Sequence, residues 1–210
     1  MRVMATVKRR TYRTAIRRGE APRLICAAAH QLFSAKGYLA TSIDEIAAAA
    51  GVARPTVFSA VGTKPVILKA VVDQAMAGDD EPVPVAERPW FTEALTEPDP
   101  ARSVRLHARN LAWIARRVAP LLRALETAAA VDADAAALWT DVRRQRRTGT
   151  ASIAANLAAK TILRCDEQTL ADMLFSLPPD AYVRLVLEGG WTPERFEAWL
   201  ADLLQRYCLR

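Results

Sequence analysis

Residues Thr41 to Lys64, TSIDEIAAAAGVARPTVFSAVGTK, limit the possible folds of this chain more than any other stretch. Thr41 and Ser42 are both N-cap residues by type. Asp44 and Glu45 follow three positions after each, where an acidic side chain closes a capping box. Ile43, Ile46, Ala47 and Ala50 repeat at helical spacing, so a short helix with one apolar face is predicted. Gly51 stands where a helix end needs a left-handed residue, Val52 plugs the turn, and Pro55 suits the first turn of a second helix. Val57 and Val61 would face inward, leaving Arg54, Thr56, Phe58 and Ser59 on the outer side. Two short helices around a glycine turn, the second basic and hydroxyl-bearing, form a helix-turn-helix. The second helix of that motif enters the major groove of DNA.

The flanks extend the helical pattern. Ala21 to Lys36 is a predicted helix with Ile25, Ala28, Ala29, Leu32 and Phe33 as its stripe and Gly37 at its end. After Gly62, with Thr63 as cap candidate, a further helix carries Ile67, Leu68, Val71, Val72 and Ala75 to Gly78. From there to Pro100 the chain is rich in proline and acid, with Trp90 and Phe91 in a short helical piece. It reads as a connecting segment. Further helices are predicted over 101–118, from Pro120 to 130, over 133–160, over 166–177 with a stop at Pro178-Pro179, and over 180–188. A last one opens at Thr192-Pro193. No sustained alternating pattern favours strands, so the fold class is all-α. The division is a basic arm (1–19), a helix-turn-helix domain (20–78) and a helical effector-binding and dimerisation domain (79–210).

Charge follows the same division. Residues 1–78 hold 12 Lys and Arg against 4 Asp and Glu, whereas residues 79–210 hold 17 against 19. A basic amino-terminal third beside a nearly neutral remainder fits a nucleic-acid domain joined to a body with another task. The first 18 residues carry seven Lys or Arg and no acid. This arm either lies on phosphates or in a minor groove, or is a solvated tail or residues before a start at Met4. It lacks the apolar segment of a secretory signal, and no run approaches membrane-spanning length. Cys26, Cys165 and Cys208 are scattered, without metal-ligand spacing, and fit reduced thiols. A soluble, cytoplasmic protein with no metal or cofactor is expected.

Ala28, Leu32, Phe33, Gly37-Tyr38, Thr41-Ser42-Ile43, Ile46-Ala47 and Ala50-Gly51-Val52 are a patterned set, continued by Thr56-Val57-Phe58, Lys64 and Leu68. Over about residues 20 to 75 this set resembles the TetR family of bacterial transcriptional regulators. The resemblance implies that Thr41, Thr56 and Lys64 contact phosphates, that the protein is a homodimer on a palindromic operator, and that a small-molecule effector releases it. Four residues depart from the family pattern. Ala53 stands where a capping Ser or Thr is usual, which weakens the cap by about 1 kcal/mol. Val61 replaces an aromatic residue, and Pro65 follows the lysine. Phe58 also stands where tyrosine is usual.

Chemistry assigns the remaining contacts. Arg54 can take guanine O6 and N7 together, and Ser59 can meet a base edge or a phosphate. Ser42 belongs with Thr41 at the helix start, and Pro55 and Phe58 offer apolar surface. Taken singly, each has an ordinary explanation as a cap or a solvated charge. Their joint spacing favours DNA. One module covers few base pairs, so a dimer is expected. Its candidate face is Val183, Val186 and Leu187 with the stripe Phe196, Trp199, Leu200, Leu203, Leu204 and Tyr207, unless that stripe packs within one subunit. Phe91, His107, Trp113 and Trp139 are candidate effector-pocket residues, each also explicable as core. The arginine pairs 116–117, 143–144 and 146–147 read as solvated helix faces. No phosphate loop, metal cluster or nucleophile elbow is present, so no enzyme is expected. The rival reading is a non-specific architectural DNA-binding protein.

Overall fold

The computed structural model describes residues 19–209, so the basic arm, apart from Gly19, lies outside the described residues. Every helix or strand among them is helical apart from one isolated bridge between Leu163 and Leu209. The elements are α1 (Glu20–Lys36), α2 (Ile43–Ala49), α3 (Arg54–Ala60), α4 (Lys64–Ala77), α5 (Pro89–Thr96), α6 (Pro100–Ala129), α7 (Ala133–Lys160), α8 (Glu167–Ser176), α9 (Pro178–Tyr182) and α10 (Pro193–Cys208). A 3₁₀ turn, Val85–Glu87, precedes α5, and a π-helical stretch, Val183–Glu188, continues α9.

Two apolar clusters organise these helices. The first joins the inner faces of α1 to α4, through Ile25, Phe33, Ile46, Val57, Ile67 and Leu68, to the carboxyl-terminal half of α6. The second lies among the amino-terminal half of α6, α7, α8 and α10. Helix α6, at 30 residues, therefore crosses from one core to the other. Ala108, Ala112, Ala115 and Ala119 are all buried along it. Their small side chains leave room for neighbouring helices to approach closely.

That double burial corrects one expectation. Residues 101–118 and 120–130 form one helix, with Pro120 inside it, rather than two. An interior proline costs about 3 kcal/mol through one lost hydrogen bond and a clash. Val118, Ala119, Leu121, Leu122 and Leu125, all buried around it, outweigh that cost. The prolines at 178 and 179 are a second correction. Helix α8 ends at Ser176, and they open α9 two residues before the expected start, in the first-turn positions where a missing N–H costs nothing.

Helix α10 holds the third correction. Phe196, Leu200 and Leu204 are fully buried inside the single chain, so they form protomer core rather than a dimer face. Their i, i+4, i+8 spacing forms one stripe, which packs in the second cluster. Trp199, Leu203 and Tyr207 form a flanking stripe at the same spacing. Trp199 and Leu203 are half-buried and Tyr207 is exposed. The apolar arc of α10 is wider than one packing face requires.

Candidate functional site

The helix-turn-helix forms as its local chemistry dictates. Ser42 is the N-cap of α2 and its Oγ accepts from the Glu45 N–H at 3.2 Å, while the Ser42 N–H donates to Glu45 Oε2 at 2.8 Å. The capping box thus uses Ser42 and Glu45. Lys36 also pairs with Glu45. The Lys36 hydrogen bond and those from Ser42 pull the Glu45 carboxyl down to about 2. Gly51 adopts φ 69°, the left-handed conformation that turns the chain between α2 and α3. Ala53 is the N-cap of α3 and supplies no side-chain hydrogen bond, and Pro55 follows in the first turn.

Helix α3 buries Val57 completely and exposes Arg54, Pro55, Phe58 and Ser59, with Thr56 half-buried. Arg54 Nη1 donates to Asp44 Oδ2 at 3.0 Å, and its guanidinium lies 5.9 Å from the centroid of the Phe58 ring. Both partners of the ion pair are largely exposed. Such a pair contributes at most about 1 kcal/mol and exchanges readily for another acceptor. Thr41 is placed differently. It is 1 % exposed, and its Oγ1 donates to the Gly37 carbonyl at 2.8 Å, which braces the α1–α2 turn. Lys64, at the start of α4, donates from Nζ to the Thr41 carbonyl at 2.9 Å and sits 4.1 Å from the Tyr38 ring centroid. Burial lowers its pKa. Thr63 caps α4 by position, without a side-chain hydrogen bond. The surface of α3 and the α2 start therefore carry the exposed polar groups, and Thr41 with Lys64 holds three helices in register behind them.

At the other end of α4 the chain meets the body. Arg117 on α6 donates from Nε to the Ala75 carbonyl at 2.6 Å and from Nη2 to the Met76 carbonyl at 3.0 Å. Its guanidinium stacks 3.2 Å from the Trp113 ring centroid. A cation on the orphan carbonyls of a helix end complements the helix dipole. Burial holds the Arg117 pKa down to about 10. Gly78 closes α4 at φ 98°, and a Cβ there would lie 2.3 Å from Trp113 Cη2. Arg117 is thus a clamp rather than a solvated charge. No local sequence signal distinguishes it from its neighbour Arg116, because its partners lie about forty residues away.

A cavity of about 780 Å³ opens beside this clamp. Its walls are the last turns of α4, the 79–86 segment, Phe91, the Leu111–Val118 face of α6, the 145–153 face of α7, and Leu174 with Pro178-Pro179. Buried Arg88 ties the 79–88 segment together, donating to the Val83 and Glu81 carbonyls and to Asp79 Oδ2 at 2.7 Å. Of the four aromatic and histidine residues expected at a pocket, Phe91 lines this cavity. Trp113 covers Gly78, and Trp139 packs against the first apolar cluster. His107 lies behind Phe91, ring centroids 6.4 Å apart, and is 1 % exposed. Neither of its ring nitrogens nor the Oδ1 of Asn156 has a hydrogen-bond partner. Burial pulls the His107 pKa down to about 4, and the Lys160 charge adds to that. Among the described residues no His, Cys, Asp or Glu cluster could hold a metal ion, and no single helix is long and apolar enough to cross a membrane.

The family model described as bacterial regulatory proteins, tetR family, matches residues 25–71. No curated protein matches the sequence. Several solved structures share the fold. A TetR-family transcriptional regulator from Rhodococcus sp. superposes with a TM-score of 0.70 at 12% identity, over 90% of this chain and 99% of its own. A transcriptional regulator from Saccharomonospora viridis, in complex with choline, gives 0.69 at 17%, over 92% and 100%. The regulator FadR from Bacillus subtilis, in complex with stearoyl-CoA, gives 0.68 at 15%, over 87% and 96%.

Proposed function

On the premise that this chain belongs to the TetR family of bacterial regulatory proteins, we propose that it is a sequence-specific transcriptional repressor. It binds a palindromic operator as a homodimer and is released by a small molecule. The observation that carries this reading is the helix-turn-helix with the outer face of α3 exposed. Arg54, Pro55, Phe58 and Ser59 form the face toward the bases, with Thr56 and Ser42 toward phosphates. Thr41 acts from behind that face, and Lys64 adds positive charge at the amino-terminal end of α4. The effector-binding and dimerisation domain begins after Gly78.

The dimer face in this reading is what α10 and the π-helical stretch leave uncovered: Leu187 and Tyr207, both about half exposed, with partly covered Val183, Val186, Trp199 and Leu203. A two-fold pairing of these surfaces buries the second stripe of α10. The effector site is the cavity, since it touches both α4, which carries the DNA unit, and the body. A ligand shifts the equilibrium only if it binds the DNA-incompetent arrangement more tightly, and a cavity shared by both parts permits that.

The test is DNA binding by the purified protein and its Lys64→Ala variant across a range of salt. Wild type should bind duplex DNA with a steep salt dependence. The variant should bind all sequences more weakly, with a slope shallower by about one. A variant that matches wild type in both respects would remove Lys64 from the interface, and a wild type that binds no duplex would remove the proposal.

A further inference from the structure

The cavity walls carry six charged side chains, and five of them are accounted for. Asp73 pairs with Lys69 at 2.6 Å, Asp79 with Arg88 at 2.7 Å, and Asp80 with Arg23 at 2.7 Å, while Glu81 lies 3.7 Å from Arg88. The sixth is Arg146. Its Nη2 donates to the Phe175 carbonyl at 2.7 Å and its guanidinium lies 4.8 Å from the Phe175 ring centroid, but among the described residues no carboxylate lies within 4.0 Å of it. Its neighbour Arg147 has Asp172 at 3.0 Å. Burial lowers the Arg146 pKa, the more distant Asp180 carboxylate opposes that shift, and the Arg143 charge adds to it.

Around this cation the walls are mostly apolar: Leu111, Ile114, Val118 and Ile153 face the same space as Phe91. Gly149, one turn along α7 from Arg146, also lines it, and a Cβ added there would meet no atom within 4 Å. We propose that this cavity takes an amphiphilic anion, an apolar body ended by a carboxylate or phosphate that pairs with the Arg146 guanidinium. The guanidinium fork fits both head groups and retains four further N–H donors for them. The apolar walls take the tail by the same burial that builds the core. The proposal rests on the reading of the cavity as the effector site and gives that effector its chemistry.

The full chain is titrated, without DNA, with four ten-carbon probes: decanoate, decyl phosphate, decanol and decylammonium. The expected result is that at least one of the anions binds tenfold or more tightly than the alcohol and the ammonium. Comparing the two anions identifies the head group. Arg146→Gln should abolish that preference and Arg146→Lys should keep part of it. Gly149→Leu, which suits a helix better than glycine and reaches into open space, should weaken binding of every probe at least tenfold in a folded protein. Equal binding of charged and neutral probes, binding of none of the four, or an anion preference intact in Arg146→Gln would each overturn the proposal. Because no DNA is present, an anion that binds but does not loosen a DNA complex would sustain this inference while removing ligand release from the proposed function.

Discussion

Arg54 reaches Asp44 in the free protein, and a guanine edge offers its fork two acceptors in place of that carboxylate. The exchange gives up an exposed ion pair and gains a bidentate contact worth about 1–3 kcal/mol of discrimination. Arg54→Ala should therefore bind a recovered operator about 5- to 150-fold more weakly while its affinity for random DNA falls much less. Equal losses on both, measured by fluorescence anisotropy, would make Arg54 a phosphate contact. His107 makes a prediction of a different kind. Its folded pKa of about 4 lies below the ordinary 6.5, so the unfolded chain binds the proton more readily between those values. The neutral imidazole's stability is intact above pH 6.5 and lost as pH falls toward 4, by about 3 kcal/mol once both forms are protonated. His107→Leu, which also removes two unpartnered buried nitrogens, should flatten the acid side of the urea-midpoint profile. An unchanged profile would mean that His107 is not what titrates there.

Helix α3, like α1, α4, α5 and α9, starts without a side-chain cap. Ala53 leaves its first N–H groups without a side-chain acceptor, whereas Ser42, Asp99, Asp132, Asp166 and Thr192 all cap their helices. Ala53→Ser should add about 1 kcal/mol to unfolding stability in urea, and no gain would mean that water already caps α3 as well. The same contrast explains what could be read from the chain in advance. The Ser42 capping box, the Gly51 turn, the ends of α7 and the Thr192-Pro193 start are short-range chemistry and stand in the sequence. Pro120 inside α6, the splitting of α10 into a buried and an uncovered stripe, the burial of Arg88 and the partial burial of Arg117 and Arg146 are set by partners from other elements. Residue type and spacing do not distinguish Arg117, seated on the end of α4, from a solvated arginine. The exposed face of α3 was legible; the cavity that borders α4 was legible only through Phe91.

Over the whole molecule, α4 is the one member of the helix-turn-helix unit that also borders the cavity, and the Arg117 clamp fixes its far end to α6. In the proposed mechanism, anything that fills the cavity works against that clamp and so alters how far apart two copies hold their α3 helices. Arg117→Ala should leave direct affinity for DNA within a few-fold of wild type, since α3 is untouched. It should cut the effector's influence on that affinity, a coupling of the order of 1–3 kcal/mol in allosteric proteins. Undiminished coupling in a folded variant would place the transmission elsewhere.

In the proposed function the chain reads DNA sequence as a symmetric dimer. The most direct measurement is selection of bound duplexes from a random pool by the purified protein, repeated at two salt concentrations. One inverted repeat should be recovered at both, with half-sites spaced for two α3 helices in successive major grooves. Recovery of no motif, with binding that collapses as salt rises, would contradict it and favour a protein that coats DNA without reading it.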